Sequence, residues 1–121
     1  MKMSKILVID DNEDMCQVIS DALKEEGFLV NTASNGTSAI KEIKDNIYDF
    51  IILDYKLHDM DGLEILGEIR KFSSSSSVIM ISAYGNEFVR SKAHELGVCS
   101  FFDKPFDLNA LVGAVKQNLK G

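Results

Sequence analysis

The stretch YDFIILDYKLHDMDG, residues 48–62, holds an apolar run, Phe50-Ile51-Ile52-Leu53, that stops abruptly on a carboxylate, Asp54. A continuous apolar run of this length, β-branched and aromatic and bounded by turn residues, reads as a strand covered on both faces, as in a parallel sheet. A carboxylate at its end sits on the rim of the sheet, where open α/β folds keep their ligands.

Four further short runs share this character: KILVID (5–10), FLVNTA (28–33), SVIMIS (77–82) and CSFFD (99–103). Each is followed by a segment of helical period. Met15, Val18, Ile19, Ala22 and Leu23 follow the first, with Gly27 as a stop; Leu63, Ile65, Leu66, Ile69 and Phe72 follow the third. Leu108, Leu111, Val112, Val115 and Leu119 follow the fifth, behind Asp107 as an N-cap. The second and fourth helical segments, NGTSAIKEIKDN and NEFVRSKAHELG, have narrower apolar stripes. Strands alternating with helices require right-handed crossovers, which give a (βα)5 doubly wound α/β domain with five parallel strands in the order 2-1-3-4-5. The run Ser73–Ser77 reads as a solvated loop, and residues 1–121 read as one domain.

Acidic residues outnumber basic ones, 19 to 13, for a formal charge of -6. With no Lys/Arg stripe to neutralise phosphates, direct nucleic-acid binding is not expected. Cys16 and Cys99 lie far apart without a CxxC, so both are expected as reduced core residues. The first apolar run is too short for a signal peptide or a membrane span, so the expected location is cytoplasmic, without membrane insertion.

If the strands are parallel, Asp10, Asp11, Asp54, Ser82 and Lys104 converge on one edge of the sheet. Three carboxylates packed together repel, so one is protonated or a cation sits among them. A hard divalent ion with oxygen ligands answers that need, Mg²⁺ before Ca²⁺, with Mn²⁺ as a further candidate. Lys104 suits a phosphoryl oxygen, which makes Asp54 a reasonable phosphoryl acceptor. Taken singly, each residue has a plainer role: Asp11 caps the first helix, Asp54 closes a turn, Ser82 ends a strand, and Lys104-Pro105 forms a turn, with a cis peptide expected there.

Taken together, ILVIDDNED, IILDYKLHDMDGLEIL, VIMISAYG and FFDKPF resemble the receiver domain of two-component response regulators, over essentially the whole chain. The resemblance implies that Asp54 takes a phosphoryl group from the phosphohistidine of a sensor histidine kinase or histidine phosphotransferase. Asp10, Asp11, Asp54 and the backbone carbonyl of Lys56 would hold Mg²⁺, Asp10 more through water. Ser82 and Lys104 would bind the phosphoryl oxygens. Phe101 would be the aromatic switch, reshaping the face of fourth helix, fifth strand and fifth helix for a downstream protein; a plain core role for it stays open. The spacing is most similar to single-domain regulators of sporulation phosphorelays, and also to receivers of transcription activators. The first fits a stand-alone shuttle, the second a fragment. Such a protein assists its own phosphorylation and dephosphorylation without being an ordinary enzyme.

His58 stands where many receivers have proline, which removes a fixed φ and is expected to loosen the loop. His58 and His94 read as exposed histidines. Lys56 and Tyr84 are placed to lean over the pocket mouth and exclude water, which implies slow self-dephosphorylation. Three other classes compete. A dehalogenase-like phosphatase would carry an aspartate where Lys56 stands, and a flavodoxin-like module would have a phosphate-cradling loop where DDNED stands. A pseudo-receiver would have lost some of these residues.

Overall fold

The computed structural model describes residues 3–73, 75–83 and 86–119. Five strands, β1 (Lys5–Ile9), β2 (Leu29–Ala33), β3 (Phe50–Asp54), β4 (Ser77–Ser82) and β5 (Ser100–Asp103), alternate with five helices. These are α1 (Glu13–Glu25), α2 (Gly36–Asp45), α3 (Gly62–Phe72), α4 (Glu87–Glu95) and α5 (Leu108–Leu119). All strand pairs are parallel, in the order β2-β1-β3-β4-β5, as expected.

Residue parity along the strands divides the interior in two, because successive side chains leave opposite faces of a sheet. Leu7, Ile9, Ile51, Leu53, Val78 and Met80 pack with α2, α3 and α4; Ile6, Val8, Phe50, Ile52, Ile79 and Ile81 pack with α1 and α5. Every residue of β3 is buried, which is why its sequence shows no polar alternation. Phe101 joins the first cluster and Phe102 the second.

Side-chain caps set the helix starts. Asn12, Asn35, Asp61 and Asn86 accept from the backbone N–H groups of Met15, Ser38, Glu64 and Val89 at 2.8–3.0 Å. Asn12 rather than Asp11 caps α1, so Asp11 is free of that structural duty. Asp107 accepts from the N–H of Asn109 at 2.9 Å ahead of α5. Gly27 ends α1 at φ +93°, as the sequence predicts.

Two local expectations need correction. Cys99 is exposed, because it precedes the edge strand β5. The serine run is not wholly solvated. Ser76 is buried, donates its hydroxyl to Tyr48 O at 2.6 Å, and offers its carbonyl to Arg70, which also holds the carbonyls of Leu96 and Gly97.

Candidate functional site

Strand register brings the acids together. Ile9 pairs with Leu53, so Asp10 and Asp54, each one residue further on, lie side by side; Asp54 pairs with Ile81, and Ser82 with Asp103. Asp10, Asp54 and Ser82 are buried, at 2%, 5% and 1% exposure, while Asp11 and Lys104 are half-buried. Oxygens of Asp10, Asp11 and Asp54 lie within 4.8 Å of one another. Lys104 Nζ lies 3.3 Å from Asp54 Oδ2 and 3.5 Å from Asp10 Oδ2. The Lys104 backbone N–H donates to Ser82 O at 2.9 Å, which ties the β5 end to β4. The Lys104-Pro105 peptide is cis, as expected.

Asp11, Asp54 and Lys104 line a cavity of about 380 Å³ together with Lys56, Leu57, His58 and Ala83. Burial, then the neighbouring Asp10 carboxylate, pushes the Asp54 pKa up to about 6 against the pull of Lys104. Burial alone lowers the Lys104 ammonium, but Asp54 and Asp10 more than offset it and hold that pKa above the ordinary lysine value. An all-oxygen donor set carrying this repulsion suits a hard divalent ion.

The structure thus unites Asp10, Asp11, Asp54, Lys56 and Lys104, with Ser82 at the same edge. Phe101 lies apart, under the Arg90 guanidinium, whose carbon is 4.6 Å from the ring centroid. Tyr84 lies outside the described residues. His58 is largely exposed, with Nε2 3.4 Å from Asp11 Oδ2. Sequence reading missed Arg90, which also pairs with Asp103, and Asp59, which reaches α2. Neither belongs to a local motif, and only their tertiary neighbours reveal them.

The loop after Asp54 is not loose. Lys56 and Asp61 form an antiparallel bridge, and the N–H of Gly62 donates to Tyr55 O. A Cβ on Gly62 would fall 2.7 Å from Tyr55 Cα and 3.1 Å from Asp54 O, so glycine is required where α3 starts against the strand end. Beside the pocket, Met15, Val18, Pro105, Phe106 and Leu108 line a mainly apolar cleft that shares Lys104 with it.

A family model for the response regulator receiver domain matches residues 6–116. Sporulation initiation phosphotransferase F of Bacillus subtilis is 33% identical over 98% of this chain and 96% of its own length. A transcriptional regulatory protein CpxR homolog of Haemophilus influenzae is 36% identical over 98% of this chain, which spans 51% of that protein. Among solved structures, response regulator TrrA of Thermotoga maritima in complex with Mg²⁺-BeF matches with TM-score 0.83 at 34% identity, covering 95% of this chain and 98% of that one. A CheY-like receiver protein of Methanospirillum hungatei reaches TM-score 0.95 at 24% identity, over 98% of this chain and 95% of that one, a likeness of fold alone. With motif, strand order and family match agreeing over nearly the whole chain, it belongs to the response regulator receiver domains of two-component systems.

Proposed function

We propose that Asp54 accepts a phosphoryl group from a phosphohistidine of a sensor histidine kinase or histidine phosphotransferase, and that residues 1–121 act as one cytoplasmic receiver unit, a switch or phosphorelay shuttle. The observation that carries this is a buried carboxylate, Asp54, clustered with two further aspartates and with an ammonium 3.3 Å away. A carboxylate oxygen of Asp54 attacks phosphorus, the phosphorus–nitrogen bond breaks, and the imidazole leaves with its electron pair. Lys104 neutralises one phosphoryl oxygen, and the Ser82 hydroxyl donates to another. Asp10, Asp11, Asp54 and the Lys56 carbonyl would hold Mg²⁺, with Mn²⁺ accepted by the same donors. Such an ion, when bound, supplies positive charge against both the carboxylates and the phosphoryl oxygens.

Receiver domains are generally not conventional turnover enzymes; in this reading the chain assists only its own phosphorylation and dephosphorylation. The donor protein must bring its histidine to Asp54, and the apolar cleft sharing Lys104 is where we place its docking surface. The added charge draws Ser82 and Lys104 inward, and Phe101 passes that change to the α4–β5–α5 face, where a downstream protein binds. The half-length match to the CpxR homolog supports a second reading, in which the same chemistry serves a receiver belonging to a longer transcription activator.

Incubation with acetyl phosphate and Mg²⁺ is expected to add one phosphoryl group to the intact mass, and neither Asp54→Ala nor chelator-treated protein should gain it. No gain by the parent, with Mg²⁺ binding shown separately, would sink the simple reading and point to a pseudo-receiver or to strict dependence on a protein donor. Lys56 lines the pocket, where a long side chain can keep water from the phosphorus, so Lys56→Asn is expected to shorten the lifetime of the phosphorylated protein several-fold in the same mass assay. An unchanged decay would remove Lys56 as a shield.

A further inference from the structure

The loop between β3 and α3 supplies Lys56, yet it contains no proline and its tip is exposed. What fixes it is Asp59. One carboxylate oxygen accepts from the backbone N–H of Gly36 at 2.7 Å; the other accepts from the N–H of Thr37 at 3.0 Å and from the Thr37 hydroxyl at 2.9 Å. The Gly36 and Thr37 N–H groups hold the Asp59 pKa below the ordinary carboxylate value, as for an anion at a helix N-terminus. Asn35 already caps α2 through Ser38, so Asp59 satisfies different N–H groups of the same turn. The approach is close enough that a Cβ on Gly36 would collide with Met60 and come to 3.1 Å of Asp59 Oδ1.

We propose that Asp59 is a positioning residue: by tethering the loop tip to the N-terminus of α2, it orients the Lys56 carbonyl and so sets the affinity of the acid pocket for Mg²⁺. This rests on the receiver reading of the pocket. The base of the loop is closed by the Lys56–Asp61 bridge, and Asp61 is the cap of α3; its middle is anchored by Leu57, buried in the core, and its tip is hydrogen-bonded to α2 through Asp59. Without the Asp59 contact the tip loses its hydrogen bonds to α2, and the orientation of the peptide carrying the Lys56 carbonyl is held less tightly. Groups that orient a metal ligand without touching the ion typically alter affinity by about 10–100-fold.

Calorimetric titration with Mg²⁺, with no phosphoryl donor present, tests this on the parent, Asp59→Ala, Asp59→Asn and Thr37→Val. Asp59→Ala is expected to weaken Mg²⁺ binding about tenfold. Asp59→Asn keeps only one of the two oxygen acceptors and turns an NH2 donor toward the other α2 N–H group, so it is expected to fall between the Ala variant and the parent. Thr37→Val removes one of the three hydrogen bonds without altering the loop sequence, and should fall in between. At saturating Mg²⁺ all four proteins should take up phosphoryl from acetyl phosphate at the parental rate. Parental affinity in folded Asp59→Ala would overturn the proposal. If the parent itself binds no Mg²⁺, the reading of the acid pocket fails together with the tether; normal parental binding with an indifferent Asp59 sinks the tether alone.

Discussion

Metal-free Asp54→Asn protein is expected to unfold at a higher temperature than the parent at pH 7, and to take up no phosphoryl group. The Asp54 pKa stands at about 6 against an ordinary 3.8, so the folded state holds this proton more tightly than the unfolded chain does. Folding therefore takes up protons between those two values. Stability from this group falls as pH rises from about 4 to about 6, and above that window the full penalty remains. Discounted for solvent screening, the penalty removed by the neutral amide is about 1–2 kcal/mol, roughly 3–10 °C in Tm. Thermal scans in chelator from pH 4.5 to 7.5 check this: the parent should gain on the variant as pH falls, and the two curves should approach each other near pH 4.5. A variant less stable than the parent at pH 7 would mean that the Lys104 pairing outweighs both burial and repulsion from Asp10.

Lys104→Met has the opposite sign. Its ammonium lies within 3.5 Å of both Asp10 and Asp54, and a methionine leaves those buried carboxylates facing each other. Removing one partner of a buried ion pair costs about 3–5 kcal/mol; with a quarter of the Lys104 side chain exposed, about 2–3 kcal/mol is expected here, roughly 10 °C in Tm. Protonation of Asp54 limits the loss, because its pKa rises further once the lysine is gone. The two substitutions should be strongly non-additive: in the Asp54→Asn background, Lys104→Met should cost less than half as much. Mg²⁺ should stabilise Lys104→Met more than the parent, since the ion replaces missing positive charge, and phosphoryl uptake should still be severely slowed because no ammonium meets the transferring group. Equal costs of Lys104→Met in both backgrounds would show that the lysine acts through Asp10 or through packing of its methylenes, and not through Asp54.

The architecture was legible because burial leaves a direct mark on composition. Phe50-Ile51-Ile52-Leu53 is apolar throughout because both faces of β3 are covered, and Asp10, Asp54 and Ser82 stood out as polar residues ending such runs. Their convergence followed from parallel topology alone. The tether at Asp59, the stacking of Arg90 on Phe101 and the three carbonyls held by Arg70 left no such mark. Each joins elements whose spacing in the sequence says nothing of their adjacency, and charged residues on exposed loops and helices look alike until their neighbours are known. Cys99 failed for a related reason: an apolar residue at the end of an element can adjoin the buried run without being covered.

The division of β3 between two interiors has an evolutionary corollary. Each of its residues belongs to one cluster or the other by parity, and Asp54 closes the series. Insertion or deletion of a single residue within the strand would exchange the two sets of side chains and carry the aspartate out of line with Asp10. Descendants of this chain can therefore exchange one apolar residue for another along β3, but they inherit its length unchanged; room to grow or shrink lies in the connecting loops.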